Sequence, residues 1–339
     1  MAAAAKAQKA EEKKDRPLKD RRGEERDGIV ALWDAVDQRR WDELVARADR
    51  SALEQSSAYG MAMSRASAYT PVTAVFMRGP EPVALALVLE WRFPGGFRIA
   101  KLTRGPVFLT DDVSETERAA IFGLIKQRYP VAKLNLFFMT PELAAGTESD
   151  ALLRGIGMRP MVTGYSTVWL DLRPELEALR AGLHMKWRNQ LKLAEAEPIR
   201  VRSGFGGAPM EWLLTRHDQH RKRRKFRAPA GAFVAAIADS SRDKRATQVF
   251  TAYVGSEPIA AILTVRHGNS ATYYVGWTGV EGREKQAHNL LLWSAITKLK
   301  GMGVEWLDLG GVDGLHMPGV SRFKLGVGGE LVTLAGTYL

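Results

Sequence analysis

The sequence predicts a mixed α/β (α+β) chain of two tandem domains, each a mixed central sheet flanked by helices. Three observations lead there. Apolar residues make up 45% of the 339 residues, enough for two cores of ordinary size. Short β-prone runs bounded by Gly and Pro alternate with stretches of helical period. The same order of elements occurs twice, matched in type and not in residues.

Taken in order, Met1 to Gly28 reads as a charged, solvated tail. It holds nine basic and seven acidic residues and lacks the apolar centre of a signal peptide. A helix is expected over Ile29 to Ala48, where Leu32, Trp33, Val36, Trp41, Leu44 and Val45 recur at helical spacing. A second helix fits Gln55 to Ala68. Strands are expected at Val72 to Met77, Val83 to Trp91 and Arg98 to Leu102, separated by Arg78-Gly79-Pro80 and Pro94-Gly95-Gly96. A helix over Glu115 to Arg128, a buried strand over Val131 to Phe138 and a short helix at Ala151 to Gly155 complete the first pass. These place a first domain at 29–165.

The second pass covers 166–329. It opens with a strand at Ser166 to Leu172 and a helix over Pro174 to Ala196, with Pro174 at the first helical position. Helices at Met210 to Arg221 and Gly231 to Asp239 follow. Strands fit Ala246 to Tyr253, Ile259 to His267 and Ser270 to Thr278. A helix is expected over Ala287 to Lys300 with Gly301 just past its end, and Val304 to Leu309 reads as a strand. Leu331 to Tyr338 reads as the last strand.

Composition excludes several chemistries. The chain has no cysteine, so disulfides, thiolate metal sites and a cysteine nucleophile are ruled out. His217 and His220 lack a third ligand nearby, so no metal is expected. No apolar run approaches the ~20 residues of a transmembrane helix, and a cytoplasmic location is expected. The net charge is +11, of which only +2 lies in the tail. A basic folded surface suits a polyanion such as tRNA, a diphosphate or an acidic membrane face, and it also serves plain solubility.

Three stretches carry candidate chemistry. In the helix after Pro174, Leu179, Leu183, Trp187 and Leu191 form a stripe, with Arg180, His184, Arg188 and Lys192 as a basic ridge beside it. The ridge is either a solvated face or an anion site. Residues 216–227 hold seven Arg or Lys and one acid, a composition that suits phosphate through the planar fork of arginine. The third stretch pairs Asp308-Leu309-Gly310-Gly311 with Ser321-Arg322-Phe323-Lys324-Leu325-Gly326. Glycines there admit a ligand close to the backbone, or make turn-rich connectors. Asp308 is a candidate to receive or orient a proton, or a cap for the turn that follows.

Five segments stand out in this order: Gln55-Ser56-Ser57-Ala58-Tyr59-Gly60, Leu102-Thr103-Arg104-Gly105-Pro106-Val107, the basic helix from Leu183 to Ala194, Trp306-Leu307-Asp308-Leu309-Gly310-Gly311, and Arg322-Phe323-Lys324-Leu325-Gly326. Together they resemble the FemA/FemB/FemX family of peptidoglycan bridge-forming aminoacyltransferases. The likeness spans about residues 50–339. It implies two GNAT-like domains, the first binding the acceptor and the second the donor, with strand 330–339 returning to the first. It implies attack by an amine of a UDP- or lipid-linked muramyl peptide on the ester of aminoacyl-tRNA, with no cofactor. Phe323 and Lys324 match the family's Phe-Lys pair, and Lys324 is suited to hold the oxyanion. Arg227 matches a phosphate-holding position, and Arg188 and Arg223 are expected to bind phosphates with it. The phosphate-binding lysine of the first domain has no match. Met61 and Met63 lie near its place, and Arg65 is the nearest basic residue. The short span from Met210 to Phe233 leaves no room for a long helical hairpin, so the chain resembles the compact, FemX-like form. A monomer is expected, with peripheral contact with the inner membrane face.

Two other readings stand beside this one. A GNAT N-acyltransferase would bind acyl-CoA by its diphosphate at a helix N-terminus. Here Gln286 and His288 occupy Arg283-Glu284-Lys285-Gln286-Ala287-His288 where small residues are needed, which argues for tRNA as donor. A basic RNA-binding protein without catalysis also fits the charge, though the Phe323-Lys324 segment and the two-domain repeat do not require it.

Overall fold

The computed structural model describes residues 23–225 and 228–339. The chain divides into two compact units. One runs up to Gly164 and takes in Leu334–Leu339, and the other is Tyr165–Thr333.

The first unit opens with β1 (Glu24–Arg26) and β2 (Ile29–Trp33), paired antiparallel with Arg26 opposite Ile29. The helix expected from Ile29 is therefore a strand at its start, and the charged tail ends earlier than Gly28. Asp27 and Gly28 both have positive φ (48° and 77°), the geometry of a tight hairpin turn. Ile29, Ala31 and Leu32 are buried in the sheet. The helical period begins only at α1 (Gln38–Val45), where the Asp37 side chain accepts from Arg40 N. Next come α2 (Ser57–Ala66), β3 (Thr70–Arg78), β4 (Glu81–Arg92), β5 (Arg98–Gly105) and β6 (Val107–Phe108). A capping box at Ser114 and Glu117 starts α3 (Glu115–Gln127). The strand expected from Val131 begins four residues later. Val131–Lys133 is a 3-10 turn with Val131 exposed, and β7 is Asn135–Pro141. Then follow α4 (Thr147–Gly155) and β8 (Pro160–Val162).

In the second unit, β9 (Ser166–Asp171) leads to two helices where one was expected, α5 (Leu176–Gly182) and α6 (Met185–Ala196). Pro174 lies before the cap at Glu175 and not inside the helix. Leu183 and His184 are extended, which frees His184 N to donate to Gly326 O at 2.9 Å. The break thus receives the chain that follows the Phe323-Lys324 segment. All four stripe residues stay in one core despite it. Then come β10 (Ile199–Gly204), α7 (Gly207–Arg224), α8 (Gly231–Ser240), β11 (Thr247–Val254), β12 (Glu257–His267), β13 (Ser270–Thr278), α9 (Val280–Glu284), α10 (Ala287–Gly301), β14 (Trp306–Val312) and α11 (Pro318–Leu325). Gly301 is the last residue of α10. The left-handed residue that turns the chain is Gly303 (φ 79°).

The final segment splits. β15 (Glu330–Thr333) pairs with β9 in the second unit, and β16 (Thr337–Tyr338) pairs with β7 and β8 in the first. The first sheet has the order β1-β2-β3-β4-β5-β7-β16-β8, with β6 beside β4, and β5 and β7 run parallel. The second has the order β10-β11-β12-β13-β14-β9-β15, with β13 and β14 parallel. Both sheets are mixed and flanked by helices. Among the described residues no helix is long and apolar enough to cross a membrane.

Candidate active site

The site in the second unit forms where two parallel strands separate. β13 and β14 pair only from Ser270–Thr272 against Trp306–Asp308. Beyond that point β14 is irregular against β9, with Gly310 at φ 71°. Backbone groups at such an opening need partners. The last turn of α11 supplies one, since Lys324 Nζ donates to Gly311 O at 2.7 Å. The region around Ser321 to Leu325 is therefore a helix and not a connector. Lys324 is only 8% exposed. Burial pulls its pKa down to about 8, and the charge of Asp308 offsets part of that.

Asp308 is fully buried. Its Oδ1 accepts from Thr167 Oγ1 at 2.6 Å and from Gly310 N at 2.8 Å. Of its two expected roles, the cap of the following turn is the one this geometry displays. Phe323 lies tilted on Trp187 at 5.9 Å and edge-on to His288 at 5.3 Å. Trp187 Nε1 donates to Phe323 O at 3.1 Å, fixing α11 against α6. Phe323, Lys324 and Asp308 are thus gathered around one strand opening.

Sequence reasoning missed Tyr273 and misjudged His288. Tyr273 Oη and His288 Nε2 are hydrogen bonded at 2.8 Å. Burial raises the tyrosine pKa and lowers that of the histidine to about 4, so the imidazole is neutral near pH 7. Its Nδ1 is enclosed without a hydrogen-bond partner among the described residues. Gly276 makes the room for this pair. A Cβ there would clash with Tyr273 Oη and stand 2.9 Å from His288 Nε2. His288 turns into the sheet instead of crowding the start of α10. Gln286 does cover that turn, with its amide nitrogen donating back to Arg283 O at 3.0 Å. No local pattern signals the pair, because strand β13 and helix α10 bring the two residues together.

The basic residues divide differently from expectation. The ridge is interrupted at His184. Arg180 forms a two-point pair with Glu195 (2.7 and 2.5 Å), and Arg188 donates to Ala181 O at 3.0 Å. Arg223 is exposed on the last turn of α7. The pKa of His220 is lowered first by burial and then by Arg223, Arg224 and Arg283, so these guanidinium groups share one neighbourhood. Arg216 lies over the rings of Trp212 and Trp277 at 5.8 and 5.7 Å. Arg227 lies outside the described residues. Arg65 is exposed on the last turn of α2, in the first unit. Among the described residues no group of His, Asp or Glu could hold a metal ion.

Residues 184–325 match the family model of the acetyltransferase (GNAT) domain. No curated protein sequence matches the chain. Among solved structures, FemX is similar with a TM-score of 0.76 and 13% identity, covering 91% of this chain and 96% of that one. L-PGS from Bacillus licheniformis is similar at a TM-score of 0.52 and 12% identity, over 89% and 90% of the two chains. A tandem GNAT protein from the clavulanic acid biosynthesis pathway is similar at 0.50 and 12%, over 91% and 97%. The chain therefore has the two-domain GNAT-like fold of FemX, with a domain of the GNAT acyltransferase type at residues 184–325.

Proposed function

We propose that the chain is an aminoacyltransferase that moves an amino acid from aminoacyl-tRNA to an amine of a peptidoglycan precursor peptide, UDP- or lipid-linked, with no cofactor besides the donor. The observation that carries this reading is Lys324. It is an enclosed lysine at the opening of β13 and β14, within the Phe323-Lys324 pair that resembles the family's own.

The acceptor nitrogen, once deprotonated, bonds to the carbonyl carbon of the aminoacyl ester. The π pair of the carbonyl moves to its oxygen, and the Lys324 ammonium donates a hydrogen bond to that oxyanion. On collapse the ester C–O bond breaks. The ribose oxygen leaves with the bonding pair and takes up the second proton, which the nitrogen sheds as it becomes the amide N–H; the first went to solvent when the ammonium was deprotonated. Lys324 keeps its own proton throughout. Asp308 acts by holding Thr167 and the Gly310 turn, and so the carbonyl on which Lys324 rests. Arg188, Arg223, Arg227 and Arg65 are the residues proposed to meet phosphates, with Arg224 and Arg283 beside Arg223.

The match of residues 184–325 to a GNAT acetyltransferase domain favours a second donor, acyl-CoA. The Gln286 side chain folded over the turn before α10 stands against a diphosphate there. A transfer assay separates the two. Radiolabelled aminoacyl-tRNA is supplied with UDP-linked and lipid-linked muramyl pentapeptides, and acetyl-CoA competes as donor. RNase-sensitive label on the muropeptide is the expected result. Transfer from acetyl-CoA alone would overturn the tRNA reading.

A further inference from the structure

One end of the first unit's sheet combines exposed apolar side chains with an excess of positive charge. β4 ends at Arg92, the Pro94–Gly96 turn follows, and β5 begins at Arg98. β7 runs parallel to β5 with Asn135 opposite Arg98, and it is entered through the Val131–Lys133 turn. Arg98 N donates to Leu134 O at 3.0 Å, so the two turns lie side by side.

The apolar groups here are large. Trp91 is 36% exposed, Phe97 38%, Leu134 58% and Val131 82%. Leu134 also sits at φ 56°, a left-handed conformation that Asn or Gly adopts with less strain than Leu. The basic groups are Arg92, Arg98, Lys101, Arg128 and Lys133, and residues 91–101 and 128–135 contain no Asp or Glu. Glu90, next to Trp91 in β4, is buried and already engaged by Arg92, Arg98 and Tyr129 Oη. It cancels one charge of the five.

This combination has a specific physical preference. Trp and Phe favour the boundary between headgroups and acyl chains, where an apolar body can be buried beside polar groups. Lys and Arg at the same level are drawn to anionic headgroups. A single-stranded nucleic acid needs open ring faces on which to stack its bases. Here the rings are spent on each other. Trp91 stacks on Phe93 at 4.5 Å, Phe97 leans on Phe93 at 5.5 Å, and Tyr69 carries Lys101 over its face. Val131 and Leu134 offer nothing to a base and a good deal to a lipid.

We propose that this end of the first unit docks on the surface of an anionic bilayer. Trp91, Phe97, Val131 and Leu134 enter the headgroup boundary, and Arg92, Arg98, Lys101 and Lys133 meet lipid phosphates. The inference stands apart from the chemistry of the second unit.

The test is flotation of the full chain with vesicles of phosphatidylcholine alone or with one-third phosphatidylglycerol. Binding to the anionic vesicles only, weakened by salt, is expected. The double variant Val131→Asp/Leu134→Asn changes two exposed positions and places Asn where φ is positive, so its fold is retained. It should bind the anionic vesicles about tenfold or more weakly, given the apolar area withdrawn. Lys133→Glu, read separately, should weaken binding and flatten its salt dependence. Unchanged vesicle binding by both variants, or equal binding of the parent chain to neutral and anionic vesicles, overturns the proposal.

Discussion

Replacing Lys324 with methionine separates a catalytic lysine from a structural one, because the two roles predict opposite changes in stability. Methionine has similar length and no charge. In the folded chain the lysine is protonated up to about pH 8, and the reference value is 10.5. The unfolded state therefore holds the additional proton between those limits, and stability rises with pH across that window. Below pH 8 the buried ammonium destabilises the fold by roughly 3 kcal/mol, at about 1.4 kcal/mol per pH unit. Lys324→Met removes that burden and loses the bond to Gly311 O, worth about 1 kcal/mol. The variant should be at least as stable as the parent at pH 7, and the parent should catch up as the pH rises from about 8 to 10.5. Activity should move the other way, since one oxyanion donor is worth on the order of 10²–10³ in rate. Parent activity should also fall as the pH passes through about 8 and the ammonium is lost. Single-turnover transfer and urea unfolding at pH 7 and pH 10 read both quantities. Transfer within about threefold of the parent by Lys324→Met would refute the oxyanion role.

Other expectations follow from neighbouring contacts. Tyr273→Phe leaves His288 Nε2 without its partner and should lower stability by about 1–3 kcal/mol, measured by urea unfolding. His288, neutral down to about 4 when folded and to 6.5 when unfolded, should withdraw stability as pH falls through that interval, an effect absent in His288→Phe. In the first unit the buried Gln55 amide donates to Leu87 O and Thr103 O and accepts from Leu87 N, so Gln55→Leu should cost about 3 kcal/mol in the same assay. Arg223→Glu should raise the apparent Kd for a phosphate-rich donor and reduce its salt dependence by about one unit of slope, with little change in thermal stability.

Much of the frame was legible because it depends on local period. The alternating runs bounded by Gly and Pro became β3, β4 and β11 to β13, and the apolar period over Ala287 to Lys300 became α10. Residues 29–33 were misread because Leu32, Trp33 and Val36 happen to continue the helical spacing of Trp41 and Leu44. The Asp27-Gly28 turn, which outweighs that spacing, lay in a stretch read as tail. Val131 was misread for the opposite reason. An apolar residue was assigned to a buried strand when the sheet begins only at Asn135.

What the sequence determined by itself was the periodicity, the two sets of elements, the absence of cysteine chemistry and the Phe323-Lys324 segment within its ordered neighbours. Only the tertiary structure decided the surroundings of that segment. A lysine code letter carries no burial, and it is the opening of β13 from β14 that encloses Lys324 and lowers its pKa. The break at Leu183 and His184 likewise follows from Gly326 O and Phe323 arriving from more than a hundred residues away. Tyr273 and His288 become a pair because a glycine leaves space between a strand and a helix. Local propensity sets which elements can form, and long-range packing sets the dielectric and the partners that turn a side chain into a reagent.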